Sequence, residues 1–100
     1  MREFEIYLPT KTKDGADIDP AKIEGIKSEL IGAFGGYTHL NQHAEGAWKM
    51  GGVTFYDTVT ILRVLDDASA SFDLPAFKSR ITQSLEQDAV LIVSRDVRME

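Results

Sequence analysis

FGGYTHLNQHAEGAWKMGGVTFYD, residues 34–57, decides how this chain folds. Five of the eight glycines and the single tryptophan fall within it. Glycine suits places where the backbone needs positive φ or close approach. The stretch therefore predicts a helix stop at Gly35 or Gly36, then a strand from Tyr37 to Lys49. A tight hairpin follows at Gly51-Gly52, because a glycine pair suits the primed turns. Thr54 to Leu65, rich in β-branched residues, reads as the returning strand.

Working outward, Phe4, Ile6 and Leu8 alternate with Glu5 and Tyr7, which predicts a first strand ended by Pro9. Asp19-Pro20 is a helix start, an N-cap followed by a residue tolerated at the first helical position. Ile23, Ile26, Leu30, Ile31 and Phe34 then recur at helical spacing. Gly25 and Gly32 lie inside this helix at a cost of about 1 kcal/mol each relative to Ala. Close packing against a sheet is the expected reason for keeping them. Downstream, Asp73 or Leu74 with Pro75 opens a second helix whose buried stripe is Phe77, Ile81 and Leu85. Ala89 to Val93, apolar throughout, reads as the last strand, and Ser94 to Glu100 as a charged tail or a strand extension through Val97.

The expected fold class is α+β: a ferredoxin-like β-α-β-β-α-β domain over residues 1–100, a four-stranded antiparallel sheet with two helices on one face. Strands one and three should be central. Tyr7, Thr58, Thr60 and Leu62 should face away from the helices if Val59 and Ile61 face them. An apolar edge strand is an aggregation hazard unless covered. A chain of this length also has a modest core. A homo-oligomer, most simply a dimer, is therefore expected to bury the second face or the strand-four edge. The competing reading is that the C-terminal tail covers that edge.

Net charge is −5, which argues against nucleic acid or an anionic membrane as partner, since both need a basic surface. There is no cysteine, hence no disulfide, thiolate site or thiol nucleophile. No apolar run approaches the ~18 residues of a membrane span, and the N-terminus lacks a signal-peptide pattern. The expected location is cytoplasmic.

The set Phe34-Gly35-Gly36, Thr38, Gly46, Trp48, Gly51-Gly52 and Asp57 resembles that of a family of small uncharacterised bacterial proteins, over about Leu8 to Gln87. The resemblance implies a shared fold and central hairpin and transfers no catalytic residue. In strand-helix order the chain is also similar to dimeric ferredoxin-like proteins, among them small monooxygenases and dye-decolourising or muconolactone-isomerase relatives. None of their motifs is present, so that likeness is one of fold alone.

Several side chains are candidates for chemistry. His39, His43 and Glu45 share one face of an extended strand and have metal-ligand character. His39 and His43 would, however, lie ~13 Å apart in an ideal strand, so solvent-facing histidines are the favoured reading and no metal or other cofactor is expected. Trp48 and Tyr56 flank the glycine turn; with Tyr37 and Phe55 they form an aromatic patch that stabilises a hairpin or lines a pocket. Asp57, in an apolar strand, needs a partner or water; His39, His43, Lys49 and Arg63 are candidates. Arg63 reads as an ion-pair or interface residue.

Two functions follow. The first is a homo-oligomeric binding or interaction module, with Tyr37, Trp48, Tyr56, Asp57 and Arg63 contacting a small-molecule ligand or a protein partner. The second is a small cofactor-independent enzyme, monooxygenase- or isomerase-like, with His39 or His43 as proton shuttle and Asp57 as a further catalytic candidate.

Overall fold

The computed structural model describes the backbone of residues 1–100 and all side chains except those of residues 41–43 and 48. The elements run β1 (Arg2–Pro9), α1 (Pro20–Phe34), β2 (Thr38–Met50), β3 (Val53–Asp66), α2 (Leu74–Ser84) and β4 (Leu91–Asp96). The chain is α+β, and its sheet is antiparallel in the order β2-β3-β1-β4.

Both helices start as their sequences require. Asp19 caps α1 by accepting from the Ala21 amide at 2.9 Å, and Asp73 caps α2 by accepting from the Ala76 amide at 3.0 Å. Proline stands in the first turn of each. Gly35 ends α1 in the left-handed conformation, φ 83°, its N–H donating to the Ile31 carbonyl. Gly51 and Gly52, at φ 60° and 80°, join β2 to β3 by a two-residue turn. Positive φ at both positions matches the right-handed twist of the paired strands.

Alternation along β1 sends Phe4, Ile6 and Leu8 into the core. There they meet Leu62 and Val64 of β3, Ile26 and Leu30 of α1, and Phe77 and Ile81 of α2. A chain of rings, Phe4–Phe34–Phe72–Phe77, with centroid separations of 6.1, 4.9 and 5.1 Å, ties the end of α1 to α2. Arg80 of α2 grips Glu29 of α1 through two hydrogen bonds of 3.1 and 2.7 Å.

The expectation of a compact four-stranded ferredoxin-like domain is corrected by the extent and number of the β segments. The chain is 41% strand. It has six β segments, because Lys11 and Asp17 form a further antiparallel bridge in the β1–α1 connection. That bridge carries an ion pair, and the Lys11 hydrogen bond holds the Asp17 carboxyl below its ordinary range. The sheet is also unevenly filled. β1 pairs with β3 only from Val59 to Asp66, and the Thr10 amide still donates to the Thr58 carbonyl at 3.2 Å, so Val53–Asp57 pairs with β2 alone and projects as a two-stranded ribbon. Pro9 is the physical cause: it ends β1 after eight residues, whereas β3 runs for fourteen. The molecule is accordingly elongated, 41 × 27 × 26 Å. Its radius of gyration is 14.0 Å, against about 13 Å for a compact chain of this length.

Three further expectations change. The face assignment of β3 is reversed: Leu62 pairs with Ile6 and Val64 with Phe4, so both point to the helices and Val59, Ile61, Arg63 and Leu65 point away. The last strand begins later than its apolar run, at Leu91, while its reach into the charged segment agrees with the extension read from sequence. The tail lengthens that ladder, with the Val97 amide donating to the Met1 carbonyl at 2.9 Å. Finally, Gly25 and Gly32 are not packing glycines: both are exposed, and a Cβ built on either meets nothing within 4 Å. The double substitution Gly25→Ala/Gly32→Ala is expected to raise stability by about 1–2 kcal/mol through helix propensity. Urea denaturation tests this, and an unchanged or lower midpoint would show that the glycines serve something other than helix geometry.

Candidate functional site

The sheet face without helices carries the chemistry. With Phe4, Ile6 and Leu8 committed to the core, strand alternation places Glu3, Glu5 and Tyr7 on this face. The register then sets Arg63 beside Glu5, Leu65 beside Glu3 and Ile61 beside Tyr7 on one flank. On the other flank Arg95 stands beside Glu3, Val93 beside Glu5 and Leu91 beside Tyr7. Two carboxylates thus lie between two guanidinium groups. Arg63 Nε approaches Glu3 Oε1 at 2.5 Å, and Arg63 Nη2 approaches Glu5 Oε2 at 3.7 Å. Arg95 Nε lies 3.7 Å from Glu3 Oε2, while Arg95 Nη2 is in direct contact with Glu5 Oε1. The Glu5 side chain is only 7% exposed. A carboxylate so removed from water needs cations to remain charged, and the two arginines supply them.

This cluster divides the face. Toward the ribbon lies largely apolar surface: Tyr7, Ile61, Leu91 and Val93 on the body, continuing along β3 through Val59, Asp57, Phe55 and Val53. Leu91 is 58% exposed and Phe55 42%. At the opposite end the sheet meets the α1–β2 connection and the C-terminal residues in an open cleft of about 550 Å³. Arg63 and Tyr37 line it, together with Phe34, Leu65, Met99 and Arg98.

The residues singled out by sequence are distributed over the molecule rather than gathered. Tyr37 and Arg63 meet at the cleft. Tyr56 and Asp57 lie on the ribbon, where Ala47 opposes Tyr56 and Gly46 opposes Asp57. Thr38 opposes Arg63 and position 48 opposes Phe55, eight residues or about 27 Å apart along β3, so Tyr37 and position 48 lie at opposite ends of the hairpin. Trp48 opposes Phe55 in the backbone register, and its side chain, like that of His43, lies outside the described residues. The Asp57 carboxylate accepts from the adjacent Thr58 amide at 2.8 Å. It therefore needs none of the proposed side-chain partners.

His39 Nε2 lies 2.9 Å from Thr60 Oγ1, and that hydroxyl donates to the Leu40 carbonyl at 2.9 Å. With its one proton so used, Thr60 accepts from the imidazole, and Nε2 is the protonated nitrogen. His39 opposes Leu62. Position 57 is five residues along β3, about 17 Å away, and on the other face. His39 and Asp57 therefore cannot act on one reacting atom. Among the described residues no group of three His, Asp or Glu side chains is placed to hold a metal ion. No helix of the described residues is long and apolar enough to cross a membrane.

Glu3, Glu5 and Arg95 are what sequence reading missed. The signal was present: acidic residues at alternate positions of an amphipathic strand share its non-core face, and Arg63 and Arg95 belong to the strands on either side. No protein-family model matches the chain, and comparison with curated proteins and with solved structures likewise returns no match.

Proposed function

We propose that this chain is a self-associating interaction module, a homodimer whose copies meet through the helix-free face of the sheet. The observation that carries this is the largely apolar stripe from Val53 and Phe55 on the ribbon to Ile61, Tyr7 and Leu91 on the body, interrupted on β3 by Asp57. From Val53 to Ile61 it measures about 27 Å along β3. A standard interface of ~800 Å² per partner is a patch roughly 30 Å across.

A second copy is the partner that fits. The ribbon projects with no strand beside it over Val53–Asp57, and the Tyr7–Ile61–Leu91 patch has no layer above it. A two-fold axis lying between the two faces, perpendicular to β3, lays each ribbon over the other copy's patch and satisfies both at once, as isologous interfaces do. Charge favours the same arrangement. The whole chain carries −5, but on this face Glu3 and Glu5 are balanced by Arg63 and Arg95, so two faces approach without the repulsion of the bare net charge. We place the module in the cytoplasm on composition, an acidic chain without cysteine.

Light scattering across the micromolar range tests the proposal. The expected mass is twice the 11.1 kDa of the chain, with slowed amide exchange at Phe55, Ile61 and Leu91 on association. A monomer throughout that range would end it.

A further inference from the structure

We infer that the cleft at the α1–β2 end of the sheet is a binding site for a small organic anion with an apolar body, anchored by Arg63. Its volume, about 550 Å³, falls within the 300–1,000 Å³ typical of small-molecule sites. Its walls are mostly apolar: Phe34 and Tyr37 at the end of α1, Leu65 on β3, and Met99 from the C-terminal segment. Its charged groups are Arg63, Arg98 and Glu3. Glu3 is shared between Arg63 and Arg95.

Arg63 has donor capacity to spare. Its Nε and Nη2 face Glu3 and Glu5, which leaves Nη1 outside the ion pairs. The side chain is 40% exposed, so the guanidinium is reachable from the cleft. A planar guanidinium with five N–H donors suits a carboxylate or similar flat anion. The surrounding rings and aliphatic chains suit an aromatic or branched hydrocarbon portion. Arg98 sits at the rim, paired with Glu100 at 3.0 Å.

The site lies beyond the charged cluster from the proposed dimer stripe, so the two readings stand or fall separately. It also offers a clean block. Gly36 lines the cleft, and a Cβ built there meets nothing within 4 Å. Gly36→Phe therefore fills the space without disturbing the core.

The experiment is a titration of isotope-labelled protein with 2-naphthoate, followed by amide chemical shifts, with the neutral analogue 2-naphthamide in parallel. The expected result is saturable shifts at Gly35, Gly36, Thr38 and Leu65, with at least tenfold weaker binding of the amide. Gly36→Phe should abolish the shifts. Should Gly36→Phe fail to fold, Leu65→Glu, at an exposed position, is expected to do the same by adding a carboxylate to the wall. The inference is overturned by an absence of saturable shifts, by equal binding of acid and amide, by binding that survives the folded blocking variant, or by shifts confined to the Tyr7–Ile61–Leu91 stripe.

Discussion

Leu91→Asp and Phe55→Asp are each expected to turn the dimer into monomers. Both side chains are well exposed in the single chain, so the substitutions leave the core untouched. In the two-fold dimer each change occurs twice. Full burial of one large apolar side chain contributes about 1.5–3 kcal/mol; these side chains are already about half covered, so losing two of them costs about 1.5–3 kcal/mol of association. At 1.4 kcal/mol per factor of ten, this weakens the dimer by at least about 10-fold. An added carboxylate facing apolar surface increases the loss. Tyr56→Asp is the control: it lies on the opposite face of the same ribbon, is 71% exposed, and should leave association unchanged. Sedimentation equilibrium on the three variants decides the matter. If Leu91→Asp and Phe55→Asp dimerise as the native chain does, the stripe is not the interface.

Arg63→Met/Arg95→Met is expected to cost about 3–5 kcal/mol of folding stability, the usual penalty for leaving a buried charge without its partner. Methionine keeps much of the aliphatic stem, so Glu5 stays shielded from water while losing both cations. Against a total of about 5–15 kcal/mol for a domain, much of the folded population is then lost. Each single substitution leaves Glu5 one guanidinium and is expected to cost less than half as much, because residues of one network do not act additively. Adding Glu5→Leu to the double variant should recover stability, since well-packed apolar groups replace buried ion pairs at little cost. Arg98→Met, at a side chain 85% exposed, should change stability by no more than about 0.5 kcal/mol. Urea denaturation measures all five. A double variant within about 1 kcal/mol of the native chain would mean that Glu5 is not held by these arginines.

Both predictions depend on which way the strands face, and here sequence reading was uneven. On β1 it was sound, because Phe4, Ile6 and Leu8 alternate with polar or amphipathic residues and leave a single choice of core side. On β3 it failed. Val59, Ile61 and Leu62 are all apolar, and a strand apolar on consecutive positions gives no phase. Pairing Leu62 with Ile6 resolved it, and that moved Ile61 and Arg63 to the open face. The cleft was half legible. Tyr37 and Arg63 were named from residue type, yet they were grouped with Tyr56 and Asp57, which lie at the far end of long strands. Glu3 and Glu5 remained undistinguished because two glutamates at a strand start are common, and only neighbours remote in sequence give them a purpose.

Local rules alone placed the helix starts at Asp19 and at Asp73 or Leu74, the left-handed stop at Gly35 or Gly36, and the Gly51-Gly52 turn. Each is decided by a few adjacent residues whose backbone preferences or short-range hydrogen bonds leave little alternative. The fold alone settled the overhanging ribbon, the outward face of β3 and the four-charge cluster. These arise from the register between strands up to some ninety residues apart, from Glu3 to Arg95, and from the early end of β1 at Pro9. A burial pattern within a single segment carries no record of either.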